Sequence, residues 1–254
     1  MRSAFPALVA SVALVACASS RPFEGDVQLS PSTMERTAPP GVKVTVTKTA
    51  ILVEGVVVAT IAGGKVDPKL KSDGADGYRL VPLVEELEKR PDSVKHTGKR
   101  VATRVTLAFD RSLPYRLFTE VVFSCGQAGF DKYDLIVRKA TRGSLAAIDI
   151  TIPEASEDRL ATTVWVTNDG FKLIFAGDWV LLRKLADGRY DHERLRTSLI
   201  GLKAAVGDAS SRGANLGAEG NVPYEVLVAT MDTMRWTNDH TPLFPQIAFA
   251  AAVK

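Results

Sequence analysis

Apolar and polar positions alternate along the chain with two periods, one typical of strands and one typical of helices. Stretches rich in Val and Ile predict strands, and apolar residues at helical spacing after a proline predict helices. Glycine-containing dipeptides between them predict tight turns. In chain order these are strands at 42–47 and at 50–62 with a turn at Glu54-Gly55, a helix from Pro82, a strand at 104–109, a helix from Pro114 and a strand at 134–138.

The same order of elements recurs in the second part of the chain. Its elements are strands at 163–166 and 171–175 joined by the turn Asn168-Asp169-Gly170, a helix capped by Asp191, a loop of small residues at 207–220, a helix after Tyr224 and a strand at 244–249. We therefore predict an α+β protein with two small tandem two-layer domains, each a β-hairpin, helix, strand, helix and strand. The predicted domains are residues 42–152 and 162–254, with a linker at 153–161.

The two parts also align position by position, which favours an internal duplication. The offset drifts by only a few residues, as loop insertions would produce. Two unrelated α+β domains whose patterns coincide are the alternative. The aligned positions are Leu113-Pro114-Tyr115 with Val222-Pro223-Tyr224 at an offset of 109, Tyr78, Leu83 and Leu87 with Tyr190, Leu195 and Leu199 at 112, and Glu54-Gly55 with Asp169-Gly170 at 115.

The first residues form a short apolar segment that ends at a cysteine. Residues 7–16 contain only Ala, Leu, Val and Ser and follow Arg2. As a helix they would rise only about 15 Å, half of a bilayer core, which favours a signal peptide over a membrane span. The segment ends in Leu14-Val15-Ala16-Cys17, which resembles the lipobox of bacterial lipoproteins. That resemblance implies removal of residues 1–16 and lipidation of Cys17; an ordinary signal peptide with a chance cysteine is the alternative.

Residues 17–41 are rich in Ser, Pro and Thr and follow neither period, which predicts a flexible tether. A coil of this length would span roughly 25–30 Å. We therefore expect a folded body that begins near Val42 and is held away from the lipid surface.

A strand ending in an acid, a Pro-Tyr step, an amphipathic helix and an Ala-Gly-Phe turn occur in this order within residues 105–130. This ordered set resembles the periplasmic domain of the ExbD/TolR family of biopolymer transport proteins, and the second half matches it at Glu219, Val222-Pro223-Tyr224 and 228–232. The resemblance covers roughly residues 45–139 and 162–253. Periplasmic domains of this family dimerise, so the resemblance implies that the tandem pair could fold back as a pseudo-dimer within one chain.

The motif residues have a structural interpretation that is independent of the family. A proline suits the first turn of a helix, and Ser112 or Asn221 before it could accept hydrogen bonds from the first helical amides. The acids would lie near the positive end of the helix dipole, and the tyrosines could bury a ring while the hydroxyl stays in water. A structural or partner-binding role is therefore predicted for Asp110, Pro114, Tyr115, Glu219, Pro223 and Tyr224.

Candidate catalytic chemistry is sparse. Cys125 lies on the apolar side of a predicted helix and is expected to be a buried core thiol. His96, His192 and His240 are far apart and are expected on the surface, without metal-ligand spacing. A net charge of +3 without a basic tract gives no support for nucleic-acid binding. We predict no enzymatic activity, cofactor or metal site.

These features together predict a non-enzymatic envelope lipoprotein facing the periplasm. Ala18 after the lipidated cysteine favours the outer membrane, by the sorting pattern of enterobacteria. Members resembling TolR use a transmembrane helix with an Asp in proton-driven motors, and this sequence lacks that helix, since Asp26 has no apolar span around it. An accessory role beside an ExbB/TolQ-type complex, or contact with peptidoglycan, is therefore expected. A glycan-binding envelope protein and an envelope enzyme with an unrecognised site are the alternatives.

Overall fold

Two successive sets of strands and helices make up the fold. The computed structural model describes residues 26–90, 104–141, 143–150, 162–175, 177–206 and 213–249. The first set is β1 (Pro31–Ser32), β2 (Val42–Val46), β3 (Ala50–Val53), β4 (Val56–Ala62), β5 (Lys65–Val66), α1 (Val81–Glu88), β6 (Arg104–Phe109), α2 (Tyr115–Gln127), β7 (Lys132–Lys139) and β8 (Leu145–Ile150). The second set is β9 (Thr162–Thr167), β10 (Gly170–Phe175), β11 (Asp178–Arg183), α3 (His192–Val206), β12 (Gly213–Ala218), α4 (Tyr224–Arg235) and β13 (Gln246–Phe249).

Each set forms its own mixed sheet. In the first sheet β2, β6 and β7 run parallel, β3 and β4 extend it on one side, and β8 pairs antiparallel with β7. In the second sheet β9, β12 and β13 run parallel, and β10 and β11 extend it to an edge at β11. Helices combined with mixed sheets in both halves confirm the predicted α+β class. Cys17 and residues 1–16, 153–161 and 250–254 lie outside the described residues.

Five strands were not predicted: the two-residue strands β1 and β5, and the longer strands β8, β11 and β12. The stretch 207–220 was expected to be a loop, yet Gly213–Ala218 of it is β12, an internal strand of the second sheet that pairs with β9 and β13. Its small residues are required by packing, because a Cβ on Gly217 would lie 2.1 Å from the ring of Trp165 on neighbouring β9. The strands β8 and β11 were also missed; each pairs antiparallel with the strand before it, β8 with β7 and β11 with β10.

The alignment of the two hairpins was also wrong in the sequence prediction. Val46 accepts a hydrogen bond from Asp110 N–H, and Val166 accepts the matching bond from Glu219 N–H. This makes β2 equivalent to β9, β3 to β10 and β4 to β11. Glu54-Gly55 therefore turns between β3 and β4, whereas Asp169-Gly170 belongs to the turn between β9 and β10. Turn dipeptides look alike in sequence, and only the strand pairing shows which turn each one makes.

One hydrophobic core runs through both halves. It includes the buried helix residues Leu83, Leu87, Leu195 and Leu199, which the repeat pattern had aligned. The edge strands β8 and β13 of the two sheets contact each other, as do the helices α2 and α4. The two halves therefore share their packing.

Residues 26–41 are not a free tether, which corrects part of the predicted 17–41 segment. This strap, as we call residues 26–41, covers the face of the first sheet opposite the main core, where Leu29 is buried with Ala108, Ile136 and Ala147. Its short strand β1 pairs in parallel with the last two residues of β7. The composition of this segment predicted a coil. It is ordered because it packs on a face of the first sheet and bonds to buried carboxylates of the folded body.

Candidate functional site

The two Pro-Tyr loops, one from each half of the chain, meet each other. Pro114 and Pro223 form an antiparallel bridge, so the two copies of the motif are related by a local twofold arrangement. We call residues 110–116 and 219–225 the Pro-Tyr junction. Its four backbone hydrogen bonds are reciprocal: Tyr115 N–H to Val222 O at 2.8 Å, Tyr224 N–H to Leu113 O at 2.8 Å, Arg116 N–H to Gly220 O at 2.8 Å, and Glu225 N–H to Arg111 O at 2.9 Å.

These bonds satisfy the first amides of α2 and α4. The opening amides of a helix have no partner within the helix and need an outside acceptor. Here each helix takes carbonyl groups from the other half, and neither Pro114 nor Pro223 at the N-cap provides a side-chain cap. The predicted capping by Ser112 or Asn221 is therefore wrong. Each half completes the helix start of the other half.

The two acidic residues of the motif, Asp110 and Glu219, stabilise the adjacent loops by hydrogen bonds. Asp110 is fully buried, and its Oδ1 accepts hydrogen bonds from Ser112 N–H at 3.0 Å and Ser112 Oγ at 2.7 Å. Its Oδ2 accepts from Gln28 N–H in the strap at 3.0 Å. Glu219 holds a different partner, because its Oε2 accepts from Asn168 N–H at 2.8 Å in the β9–β10 turn. Both acids therefore fix local loops, and neither points to a reacting group.

The tyrosines of the motif are buried with their hydroxyl groups, which corrects the expectation that these groups stay in water. Tyr115 and Tyr224 are both fully buried, and burial raises the pKa of each phenol. The Tyr224 ring crosses into the first half, 4.9 Å from the Phe109 ring and 5.3 Å from the Phe118 ring. Its hydroxyl oxygen is buried without a hydrogen-bond partner. Ring packing, and not hydroxyl chemistry, is the role of this residue.

Asp232, in the Val-x-x-Met-Asp run of the sequence, fastens the strap to α4. Its Oδ1 accepts from Ser32 Oγ at 2.8 Å and its Oδ2 from Thr33 N–H at 2.9 Å. Nearby Arg235 is buried and donates to Asp149 O at 2.7 Å. Burial raises the pKa of Asp232 and lowers the pKa of Arg235. The charged residues Asp232 and Arg235, three positions apart on α4, were the available signal for this contact.

A second buried acid fixes the strap to the first sheet. Asp134 on β7 is fully buried and forms ion pairs with Arg36 of the strap and with Arg104 of β6. A buried carboxylate needs such partners, because an unpaired one would be strongly destabilising. The strap thus contacts the sheet, the Pro-Tyr junction and α4.

Replacing Asp232 with Ala is expected to detach the strap from α4. Ser32 Oγ and Thr33 N–H would lose their acceptor, so the free energy of unfolding should fall by about 1–3 kcal/mol. Amide hydrogen exchange of residues 30–35 should speed up more than that of α2. If the strap amides keep their protection, Asp232 does not hold the strap.

Asp232→Asn is the matched control, since it keeps one oxygen acceptor and removes the charge. Burial raises the pKa of Asp232, so the folded protein holds this proton more tightly than the unfolded chain does. The stability of the wild type relative to Asp232→Asn should therefore be highest at acidic pH and decline as pH rises through the folded-state pKa. Chemical denaturation from pH 3.5 to pH 7 measures this trend.

Other chemically capable groups are isolated from one another. Cys125 is buried in the core as predicted, and burial raises its pKa. His192 is half-buried, with its ring 5.2 Å from that of Phe171, and not a surface residue as expected; burial lowers its pKa. His240 is exposed, and His96 lies outside the described residues. Within the described ranges no group of three or more His, Cys, Asp or Glu could hold a metal ion.

An open recess of about 350 Å³ lies between α3 and the segment before β13. It is lined mainly by apolar atoms of Ile200, Ala204 and Leu243. The ammonium group of Lys203 at its rim donates to the carbonyl oxygens of Pro242 at 3.2 Å and Leu243 at 2.6 Å. The enzyme alternative would be favoured by a pocket into which several polar side chains converge. The residues that line this recess do not form such a pocket.

None of the helices in the described part of the chain is both long enough and apolar enough to cross a membrane. In comparisons with models of protein families, with curated proteins and with solved structures, nothing matches this chain.

Proposed function

We propose that this chain is a non-enzymatic cell-envelope lipoprotein, anchored by lipid on Cys17, whose body is an intrachain pseudo-dimer of two ExbD/TolR-like domains. Its role is that of an accessory to a proton-driven envelope transport or motor complex of the ExbB/TolQ type. The reciprocal pairing of the two Pro-Tyr loops is the observation that carries the proposal, because it joins the two copies of the family-like motif about a twofold arrangement.

The chemistry of the junction supports a binding role over catalysis. Its acids are committed to loop amides, and its tyrosines to ring packing. A further polar contact across the junction is the half-exposed ion pair of Arg111 with Glu225 at 3.4 Å, which adds little stability in water. A rigid paired body on a lipid anchor suits docking to a partner complex.

The lipid anchor is tested by Cys17→Ser in the full chain. The wild type is expected in the membrane fraction and the variant in the soluble envelope fraction, because a thioether-linked lipid requires the cysteine sulfur. Cys125→Ser is the matched control and should remain membrane-bound. A Cys17→Ser chain that still sediments with membranes would contradict lipidation.

The accessory role is tested by affinity purification of tagged full chain from membranes of its own host. Co-isolation of an ExbB/TolQ-type membrane component, identified by mass spectrometry, is the expected result, and loss of that component from the host should abolish it. A chain that never isolates with such a complex but sediments with purified peptidoglycan would overturn the accessory role in favour of glycan binding.

A further inference from the structure

The edge strand β11 presents an apolar surface that the second sheet does not use. It is the terminal strand of that sheet, and no strand of the described residues pairs with its outer side. Trp179 is 62% exposed and Val180 is 48% exposed. Edge strands of soluble proteins are usually interrupted by a proline or a central charge, and the run Trp-Val-Leu-Leu has neither. Such a strand is a template for pairing with another strand.

The backbone groups that face outward can be identified from the ladder with β10. Lys184 N–H donates to Asp169 O, and the register pairs Leu182 with Phe171 and Val180 with Leu173. Because an antiparallel ladder uses every second residue for a given neighbour, Val180, Leu182 and Lys184 bond inward. The amide and carbonyl groups of Trp179, Leu181 and Arg183 therefore point away from the sheet.

We infer that two copies of this chain associate by antiparallel pairing of β11 with β11 about a twofold axis through Leu181. In this register Leu181 faces its own counterpart and Trp179 faces Arg183, so all six outward backbone groups of each copy are satisfied. Shifting the centre to Val180 leaves Arg183 opposite Gly177 and loses two of the six hydrogen bonds. The backbone alone therefore favours the Leu181 register.

The side chains of this register are also complementary. Asp178 lies opposite Lys184 at both ends of the paired strands, so each charge meets an opposite charge. Trp179 lies opposite the guanidinium of Arg183 on one face, a favourable cation–π pairing. Val180 lies opposite Leu182 on the other face and would cover exposed apolar surface. A strand with this sequence is complementary to itself.

The equivalent strand in the first half, β4, is partly covered by other residues, whereas β11 has no such cover within the described part of the chain. The strand β4, the counterpart of β11, is partly covered by β5, and the Gly63-Gly64 turn beside it packs against Pro114. An added Cβ on Gly64 would lie 2.8 Å from the Pro114 ring. The described residues provide no such cover for β11, so the pairing surface belongs to the second half.

Charge exchange tests the partner and the register together. Sedimentation velocity of the full chain carrying Cys17→Ser, at 1–100 µM, should show a monomer–dimer equilibrium. Asp178→Lys or Lys184→Glu alone should weaken dimerisation about tenfold or more, because like charges then face each other at both ends. The double variant should recover the wild-type dimer constant, which a merely damaged fold would not do. A monomer at 100 µM, or no rescue by the double variant, would overturn the proposal.

Disulfide trapping gives a second readout that does not depend on charge. Leu181→Cys should form a covalent dimer under mild oxidation, because opposed Cα atoms in such a pair are about 5.5 Å apart. Val57→Cys on β4, a control at a position more exposed than Leu181, should not be trapped at the same rate. Equal trapping at the two sites would indicate random collision and would contradict pairing through β11. The test does not depend on the lipid or motor role.

Discussion

Gly170→Ala is expected to lower the free energy of unfolding by about 3 kcal/mol, the combined effect of backbone strain and a steric clash. Gly170 has a φ of 144°, which side chains rarely adopt. A Cβ there would lie 2.1 Å from the backbone oxygen of Leu182, on the paired strand β11. Neither the ladder nor the turn can move without breaking hydrogen bonds. Urea denaturation followed by circular dichroism measures the loss.

Two other substitutions separate the causes of this loss. Gly188→Ala adds a Cβ at a φ of 82° with open space around it, so about 1 kcal/mol of strain is expected without a clash. The structural counterpart of Gly170 in the first half is Ala50, which has no positive φ, and Ala50→Gly should cost only about 0.5–1 kcal/mol. If Gly170→Ala costs no more than Gly188→Ala, the contact with Leu182 is not limiting.

Tyr224→Ala is expected to cost about 3–5 kcal/mol, the range for removal of a fully buried aromatic ring. The ring belongs to α4 but packs against Phe109 and Phe118 of the first half, so its loss would weaken both halves together. Thermal unfolding followed by far-UV and near-UV circular dichroism should show one transition at lower temperature. A thermal unfolding midpoint equal to that of the wild type would contradict a core shared by the two halves.

Tyr224→Phe is the matched control, because it keeps the ring and removes a buried hydroxyl without a hydrogen-bond partner. It should be neutral or stabilising by up to about 1 kcal/mol. A double-mutant cycle of Tyr224→Ala with Phe118→Ala should show a coupling of about 0.5–1.5 kcal/mol, since the ring centres are 5.3 Å apart. Additive effects would indicate that the two halves are energetically independent.

Local pattern predicted most of the elements because their chemistry is local. The strand at 104–109 has the predicted bounds, and the helices after Pro114 and Pro223 bury the predicted faces. The internal strand β12 escaped prediction because glycine and alanine have low strand propensity. It becomes a strand through its neighbours, and Gly217 is needed there because the Trp165 ring occupies the space of a side chain.

The sequence predicted which residues belong to the candidate site, but it did not predict which residues they contact. The repeated Pro-Tyr step identified the loops that meet, and the tandem order allowed a pseudo-dimer. The prediction of the capping groups was wrong because the carbonyl acceptors lie about a hundred residues away in the sequence. Nothing in the sequence near the start of either helix indicates them. The strap was missed because its Ser, Thr and Pro residues have no periodicity, and its order comes from Asp110, Asp134 and Asp232 on the folded body.

The sequence by itself determined most of the helices and strands and their apolar faces, because these depend on spacing within a few residues. It also determined that an α+β pattern recurs, because the same order of local patterns appears twice. Only the tertiary structure decided how the copies meet. Unsatisfied helix amides at Tyr115 and Tyr224 take carbonyl groups from the opposite loop, and a sheet face with buried carboxylates captures the strap. Both results depend on hydrogen-bond partners distant in sequence, which no local pattern records.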